Sequence, residues 1–189
     1  MEGVREILNT KKIRNTNVSL HHNGEFITNK DRVAGLFNEF FVNIGPNLSI
    51  NIGSTEQSFM FYMKNNIYNF YIHATNPEEI AKIIQDLDQS KATDIYGMPT
   101  KLIKLGVNEI SPVLSYLFNY SFCKGIFPDK LKFACVTPVH KGKSKTIISN
   151  YRPISVLPTI SKILERLVHK RLMNFLVNHN LLFTNQFGF

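Results

Sequence analysis

The sequence has no tryptophan and two cysteines, Cys123 and Cys135, among 189 residues. They stand too far apart for a Cys-x-x-Cys pair, and no His and Cys fall at zinc-ligand spacing. A disulfide or zinc scaffold is therefore not expected, and a reducing, intracellular setting, nucleus or cytoplasm, fits best. Apolar runs are also short. None approaches the about 18 residues of a membrane span, and Met1-Glu2-Gly3-Val4-Arg5-Glu6 lacks the basic-then-apolar order of a signal peptide, so no membrane partner is expected. Acidic residues are scarce: 14 Asp and Glu face 22 Lys and Arg, a formal charge of +8. That balance favours a polyanionic partner such as nucleic acid over an acidic small substrate. No repeat or long low-complexity tract is visible.

What is present is enough apolar residue, 43 % of the chain, to bury one core with a smaller helical lobe. Residues 1 to 30 are polar and carry the turn-prone His22-Asn23-Gly24, a loosely held lead-in with room for one short hairpin. From Asp31, the spacing of Val33, Phe37, Phe40, Phe41 and Ile44 predicts a helix, with Thr28 as its cap and Gly45-Pro46 as its stop. Periodicity then lapses over 46 to 76, around Phe59, Phe61, Tyr62, Phe70 and Tyr71, as short strands or a packed loop, with a flexible boundary near 46 to 58. Asn76-Pro77-Glu78-Glu79 supplies a cap, a proline at the first helical position and an acid at the third, predicting a helix over 77 to 89 that buries Ile80, Ile83, Ile84 and Leu87. Ser111-Pro112 reads as another start, before a stripe of Ile110, Val113, Leu114, Leu117, Phe118 and Phe122 that Gly125 ends. Lys132 to Val139 is a short β-branched strand whose Pro138 suits an edge, with Pro153 to Leu157 as antiparallel partner. A last helix over 159 to 178 carries Ile160, Ile163, Leu164, Leu167, Val168, Leu172, Phe175 and Leu176 on one side, and Lys162, Arg166, Lys170 and Arg171 on the other.

The densest charge lies from Lys130 to Arg152, where Lys130, Lys132, Lys141, Lys143, Lys145 and Arg152 stand with no Asp or Glu. In the loop His140-Lys141-Gly142-Lys143-Ser144-Lys145, lysines can reach phosphate oxygens, and Gly142 lets the backbone come close. A run of lysines is more often a solvated surface. Arg152, fixed before a proline, reads either as a phosphate fork or as a structural arginine bonding backbone carbonyls. Asp86 with Asp88, and Glu78 with Glu79, read as solvated helix positions rather than metal ligands. His21, His22, His140, His169 and His179 are too scattered for a metal site, with phosphate contact open to His140 alone. The phenylalanines at helical spacing read as core, not as base-stacking platforms.

Three stretches in order, Val136-Thr137-Pro138-Val139-His140-Lys141, then Asn150-Tyr151-Arg152-Pro153-Ile154-Ser155-Val156-Leu157-Pro158, then Ile160-Ser161-Lys162-Ile163-Leu164-Glu165-Arg166, resemble the fingers of a reverse transcriptase of the non-LTR, LINE-like retrotransposon kind. The resemblance runs upstream through Gly125 to Lys132, Lys91 to Lys104 and Leu36 to Gly45. It implies an α+β, predominantly helical, fingers-like fragment of a right-hand polymerase with one small antiparallel β-hairpin, palm absent. The implied division is a linker and helical segment over 1–58 and a partial polymerase domain over 59–189. By position, Lys141 and Arg152 match the residues the family places near the triphosphate of the incoming nucleotide. Lys132, His140, Lys143, Lys145, Lys162, Arg166 and Lys170 fall along the template. The implied partners are an RNA template, an RNA–DNA hybrid, and the palm and endonuclease domains of a parent protein. The family's metal-binding aspartates lie beyond Phe189, so no cofactor is expected for this chain and magnesium only for the intact polymerase, with no activity expected from the chain alone; both ends read as cut. At Ala92 to Pro99 many relatives carry Gly-Pro-Asp-Gly where this chain has Asp94-Ile95-Tyr96-Gly97, which withdraws the template contacts otherwise inferred there. Two rival readings are a free-standing basic nucleic-acid-binding remnant and a transposon relic without function, the latter favoured if Leu167, Leu172, Phe175 or Leu176 lies exposed.

Overall fold

Asn-Gly flanked by short alternating segments is a strong local hairpin signal, because a type I′ turn needs positive φ at both central residues. Asn23 has φ +50° and Gly24 +83°. Strands β1 (Leu20–His22) and β2 (Glu25–Ile27) pair antiparallel around them, Leu20 opposite Ile27. In this computed structural model, residues 18–54, 56–62, 67–89 and 94–182 are described. The expectations for residues 1 to 17, Lys91, Ala92-Thr93 and Asn185 to Phe189 lie outside them.

Helix α1 (Lys30–Ser49) departs from expectation at both ends. Its cap is Asn29, whose side chain accepts from the Arg32 N–H at 3.0 Å, not Thr28. An amide oxygen one residue closer to the helix is placed to bond the orphan donor of the first turn. Gly45-Pro46 does not stop the helix, since Pro46 lies inside it near the end, where a missing N–H costs one hydrogen bond. Beyond, Phe59–Tyr62 forms a single 3-10 turn and residues 67–76 pair in no strand.

The described residues pack as two units. One comprises 18–62 and 136–155, and its core is Leu20, Ile27, Val33, Phe37 and Tyr151, with Val18, Leu36, Phe41 and Ile148 around it. The other comprises 67–135 and 156–182. It contains α2 (Pro77–Gln85), α3 (Thr100–Leu105), α4 (Val107–Lys124), α5 (Asp129–Lys132) and α6 (Thr159–Asn178). The Asn76 side chain caps α2 by accepting from the Glu79 N–H at 2.8 Å, as the sequence predicts. The helix ends at Gln85, four residues early, where the Lys104 Nζ takes the Gln85 carbonyl at 2.6 Å; a turn from Lys82 and Ile84 still carries Leu87 into the core.

Helix α4 starts at Val107, not at Ser111-Pro112. Pro112 sits inside it, and the Ser111 hydroxyl donates to the Val107 carbonyl at 2.6 Å. The buried line of α4 is narrower than expected: Leu114 and Phe118 are buried, whereas Val113 is 58 % and Leu117 50 % exposed. Serines take the neighbouring buried positions, Ser111, Ser115 and Ser121, because each can return a hydrogen bond to a backbone carbonyl. Gly125, at φ +65°, ends α4 as the sequence predicts.

Ile80, Ile84, Ile163 and Leu167 are fully enclosed at the centre of this unit. Each stabilises the fold by about 2 kcal/mol through removal of apolar surface from water. Helix α6 runs over the expected residues and is closed just past its end by Asn180, at φ +51°, with the Leu181 N–H returning to the Leu176 carbonyl. The described chain is thus α+β, with two small antiparallel two-stranded sheets, the second sheet being β3 (Cys135–His140) with β4 (Tyr151–Val156). No helix among the described residues is long and apolar enough to cross a membrane.

Candidate nucleic-acid interface

Prolines at 138 and 153 are tolerated in β3 and β4 because each strand of a two-stranded sheet has a free edge. Past the strands, the Lys141 N–H reaches the Asn150 carbonyl at 2.8 Å and closes the base of the loop. Gly142 has φ +123° and Lys143 +64°, so the chain reverses through two successive left-handed residues. A side chain at Gly142 would meet nothing within 4 Å. Glycine is required there by backbone angle rather than by space.

Within the loop, the Asn150 side-chain amide donates to the Ser144 carbonyl at 2.9 Å, and the Tyr151 hydroxyl donates to the Lys145 carbonyl at 2.7 Å. Ser144 and Thr146 share a hydroxyl hydrogen bond at 2.8 Å. Lys141, Lys143, Lys145 and Arg152 are exposed, and none of their side chains has a hydrogen-bonding or ionic partner among the described residues. The structural-arginine alternative thus finds no carbonyl on Arg152. His140 turns inward: its ring lies 5.2 Å from that of Tyr151, and its Nε2 is buried without a hydrogen-bond partner. Burial raises the Tyr151 phenol above its ordinary pKa, so the hydroxyl keeps its proton and remains a donor.

The other expected residues belong to the second unit. Lys132 makes an exposed ion pair with Asp129 at 2.7 Å. Lys170 pairs with Glu79 at 2.9 Å, and the Arg166 guanidinium makes a long contact of 3.4 Å with the Asp86 carbonyl. Lys162 lines an open cleft of about 400 Å³ with Arg166, Thr100, Thr159 and Glu165. The fold therefore brings His140, Lys141, Lys143, Lys145 and Arg152 onto one hairpin. Lys132, Lys162, Arg166 and Lys170 sit on α5 and α6, two of them already neutralised.

Arg171 is not on the solvent side with Lys162, Arg166 and Lys170; that expectation is corrected. It is 4 % exposed, and its guanidinium donates to the carbonyls of His73, Ala74 and Leu167 and to Glu79 at 2.9 Å. Burial alone would raise the Glu79 carboxyl. Hydrogen bonds from Lys170, Thr75 and Arg171, with the Arg171 charge, outweigh that and hold its pKa at about 2. The stripe at helical spacing hid Arg171 because His73, Ala74 and Glu79 lie far upstream in the sequence.

A second residue missed by sequence reasoning is Asp94. One carboxylate oxygen accepts from the Tyr96 and Met98 N–H groups, at 3.0 and 3.2 Å, while the Gly97 N–H returns to the Asp94 carbonyl and Gly97 adopts φ +67°. The other oxygen accepts from the Thr159 N–H at 2.7 Å. Asp94 therefore caps α6 from 65 residues away, favoured by the helix dipole. Among the described residues no three His, Cys, Asp or Glu side chains stand together as a metal site. The described carboxylates do not fit a magnesium site.

No protein-family model matches the chain. It is 34 % identical over 103 residues to an RNA-directed DNA polymerase from the mobile element jockey of Drosophila melanogaster, covering 54 % of this chain and 11 % of that protein. A probable RNA-directed DNA polymerase from transposon BS of the same organism matches at 32 % over 113 residues, 59 % of this chain and 12 % of the relative. One from transposon X-element matches at 30 % over 114 residues, 60 % of this chain and 13 % of the relative. The chain thus spans roughly an eighth of the curated relatives it matches. Across half to 60 % of its residues, the chain is homologous to the RNA-directed DNA polymerases of non-LTR mobile elements, the family its motifs resemble.

Proposed function

We propose that this chain forms part of the fingers of an RNA-directed DNA polymerase and contacts substrate rather than performing the chemistry. Lys141 and Arg152 take the phosphates of the incoming nucleotide, Lys as a point charge and Arg as a planar fork. Lys143 and Lys145 hold the template backbone, with Lys162 and Arg166 supplying further template contacts. Strand synthesis by two metal ions requires clustered carboxylates, and in this reading the palm of the same polymerase supplies them. The partners are an RNA template and an RNA–DNA hybrid.

One observation carries the reading: four exposed cations project from a hydrogen-bonded hairpin, with no carboxylate paired to them among the described residues. Lys132, by contrast, is paired with Asp129. Exposure of Leu172, at 38 %, favours the relic reading, whereas Leu167, fully buried, and Phe175, whose ring packs on Phe70 at 5.3 Å, count against it. The test is binding of the purified chain to an RNA–DNA hybrid and to single-stranded RNA across a salt series. Binding whose logarithm falls linearly with that of salt, weakened by Lys143→Ala and Lys145→Ala, is expected. Salt-independent or absent binding by a folded chain refutes the reading. In an intact polymerase carrying this sequence, Lys141→Ala and Arg152→Ala raise the nucleotide KM.

A further inference from the structure

A loop carrying three lysines in five residues repels itself and, left free, would sample many backbone conformations. Ordering it on binding would then cost backbone entropy at every residue fixed. Three consecutive carbonyls of this loop are instead already held, each by a donor from a different place. Ser144 O accepts from the Asn150 side-chain amide, Lys145 O from the Tyr151 hydroxyl, and Thr146 O from the His21 N–H at 2.8 Å. The last donor belongs to β1, the strand built on the Asn23-Gly24 turn. Tyr151 is itself fixed: it is 4 % exposed, and its ring meets the edge of Phe37, on α1, at 4.9 Å between centroids. With the backbone tied at three successive oxygens, the lysine side chains have no partner among the described residues and project outward.

We infer that the β1–β2 hairpin and α1 form a brace that sets the phosphate-binding shape of the basic loop, with Tyr151 as its positioning residue. Neither the hairpin nor α1 carries any of the cations proposed to touch nucleic acid. Their role is exerted through the Thr146 and Lys145 carbonyls, which fix Lys145 and the end of the loop that carries Lys141 and Lys143. The inference rests on the proposed function, since a brace matters for binding only if the loop is the interface.

The experiment uses the full chain and a polyuridine oligonucleotide, titrated across a salt series for wild type, Tyr151→Phe, and the triple variant Lys141→Gln, Lys143→Gln, Lys145→Gln. Tyr151→Phe keeps the ring in the core and removes one hydrogen bond. We expect its melting temperature to stay within a few degrees of wild type. RNA affinity should fall roughly two- to tenfold, the range one hydrogen bond is worth, and the salt slope should shrink by about 0.7 for each lysine that no longer reaches a phosphate. The His21 amide should exchange faster with deuterium. Should Tyr151→Phe melt early, Asn150→Ala, which frees the Ser144 carbonyl at an exposed position, is expected to give the same loss of affinity and slope. If the triple variant loses binding while Tyr151→Phe and Asn150→Ala bind with wild-type affinity and slope, the brace is refuted and the interface stands. If the triple variant binds like wild type, the interface itself is wrong and the brace's role falls with it.

Discussion

Arg152 and Arg171 belong to the same basic chain and have opposite fates. Arg171 is withdrawn from water and directs its donors to three carbonyls and Glu79, in a network that Lys170, Thr75 and Asn119 extend. Arg152 is exposed with no described partner, among three lysines in the same condition. The difference lies in what surrounds each cation in space. Helix α6 packs beside α2, whose first turn offers Glu79. The β3–β4 loop carries no carboxylate, and its Ser144, Lys145 and Thr146 carbonyls are already bonded. A charge count over the chain thus overstates what is open to a polyanion, because part of the +8 is committed internally.

The sharpest way to break this contrast is Arg171→Leu. It strands Glu79 and the carbonyls of His73 and Ala74 and is expected to destabilise the chain by about 3–5 kcal/mol in urea unfolding, with RNA binding by the folded fraction unchanged. Glu79→Gln is expected to cost about 2–3 kcal/mol by the same measurement. The acid response follows from Glu79 being held at about 2. Its depressed pKa contributes stability that is full above its unfolded value and drains as pH falls from that value through about 2. Melting temperature measured across this window should fall less steeply in Glu79→Gln than in wild type. Asp94→Ala is expected to cost about 1–2 kcal/mol, through loss of the α6 cap. Gly142→Ala, forced to φ +123°, should cost about 1–3 kcal/mol if the loop holds its shape, and reduced RNA affinity without much change in melting would mean that the loop gives way instead. The smallest effect is expected of Arg152→Ala, within about 0.5 kcal/mol in stability, together with weaker nucleotide binding. A large loss of stability there would make Arg152 a second Arg171.

Local signals in the sequence translated well into structure. Asn76-Pro77-Glu78-Glu79, Gly125 and Asn23-Gly24 act through bonds or backbone angles within a few residues, and each stands where expected. Prolines misled, at Pro46 and Pro112, because a helix already held by packing tolerates one absent N–H near its end. The stripe on α4 was drawn too wide because periodicity marks a direction and not a neighbour; Val113 and Leu117 point away from the packed side. Of the candidate interface, the hairpin and its cations were legible, since clustered charge needs no knowledge of the fold. Which cations are consumed was not, because Glu79 meets Lys170 and Arg171 only once α2 and α6 are side by side. Asp94 was hidden for the same reason, its partner Thr159 lying 65 residues on.

The two units are interleaved along the chain. Residues 18–62 begin one, 67–135 begin the other, 136–155 complete the first and 156–182 the second. During synthesis from the N-terminus, the first core must wait for Tyr151 while much of the second is already emerging. The first unit is then finished before Ile163, Leu164 and Leu167 arrive to close the second. Neither half-built core can complete itself by waiting in isolation, so a ribosome that stalls between residues 135 and 151 would leave two apolar surfaces open at once, in a nascent chain exposed to aggregation.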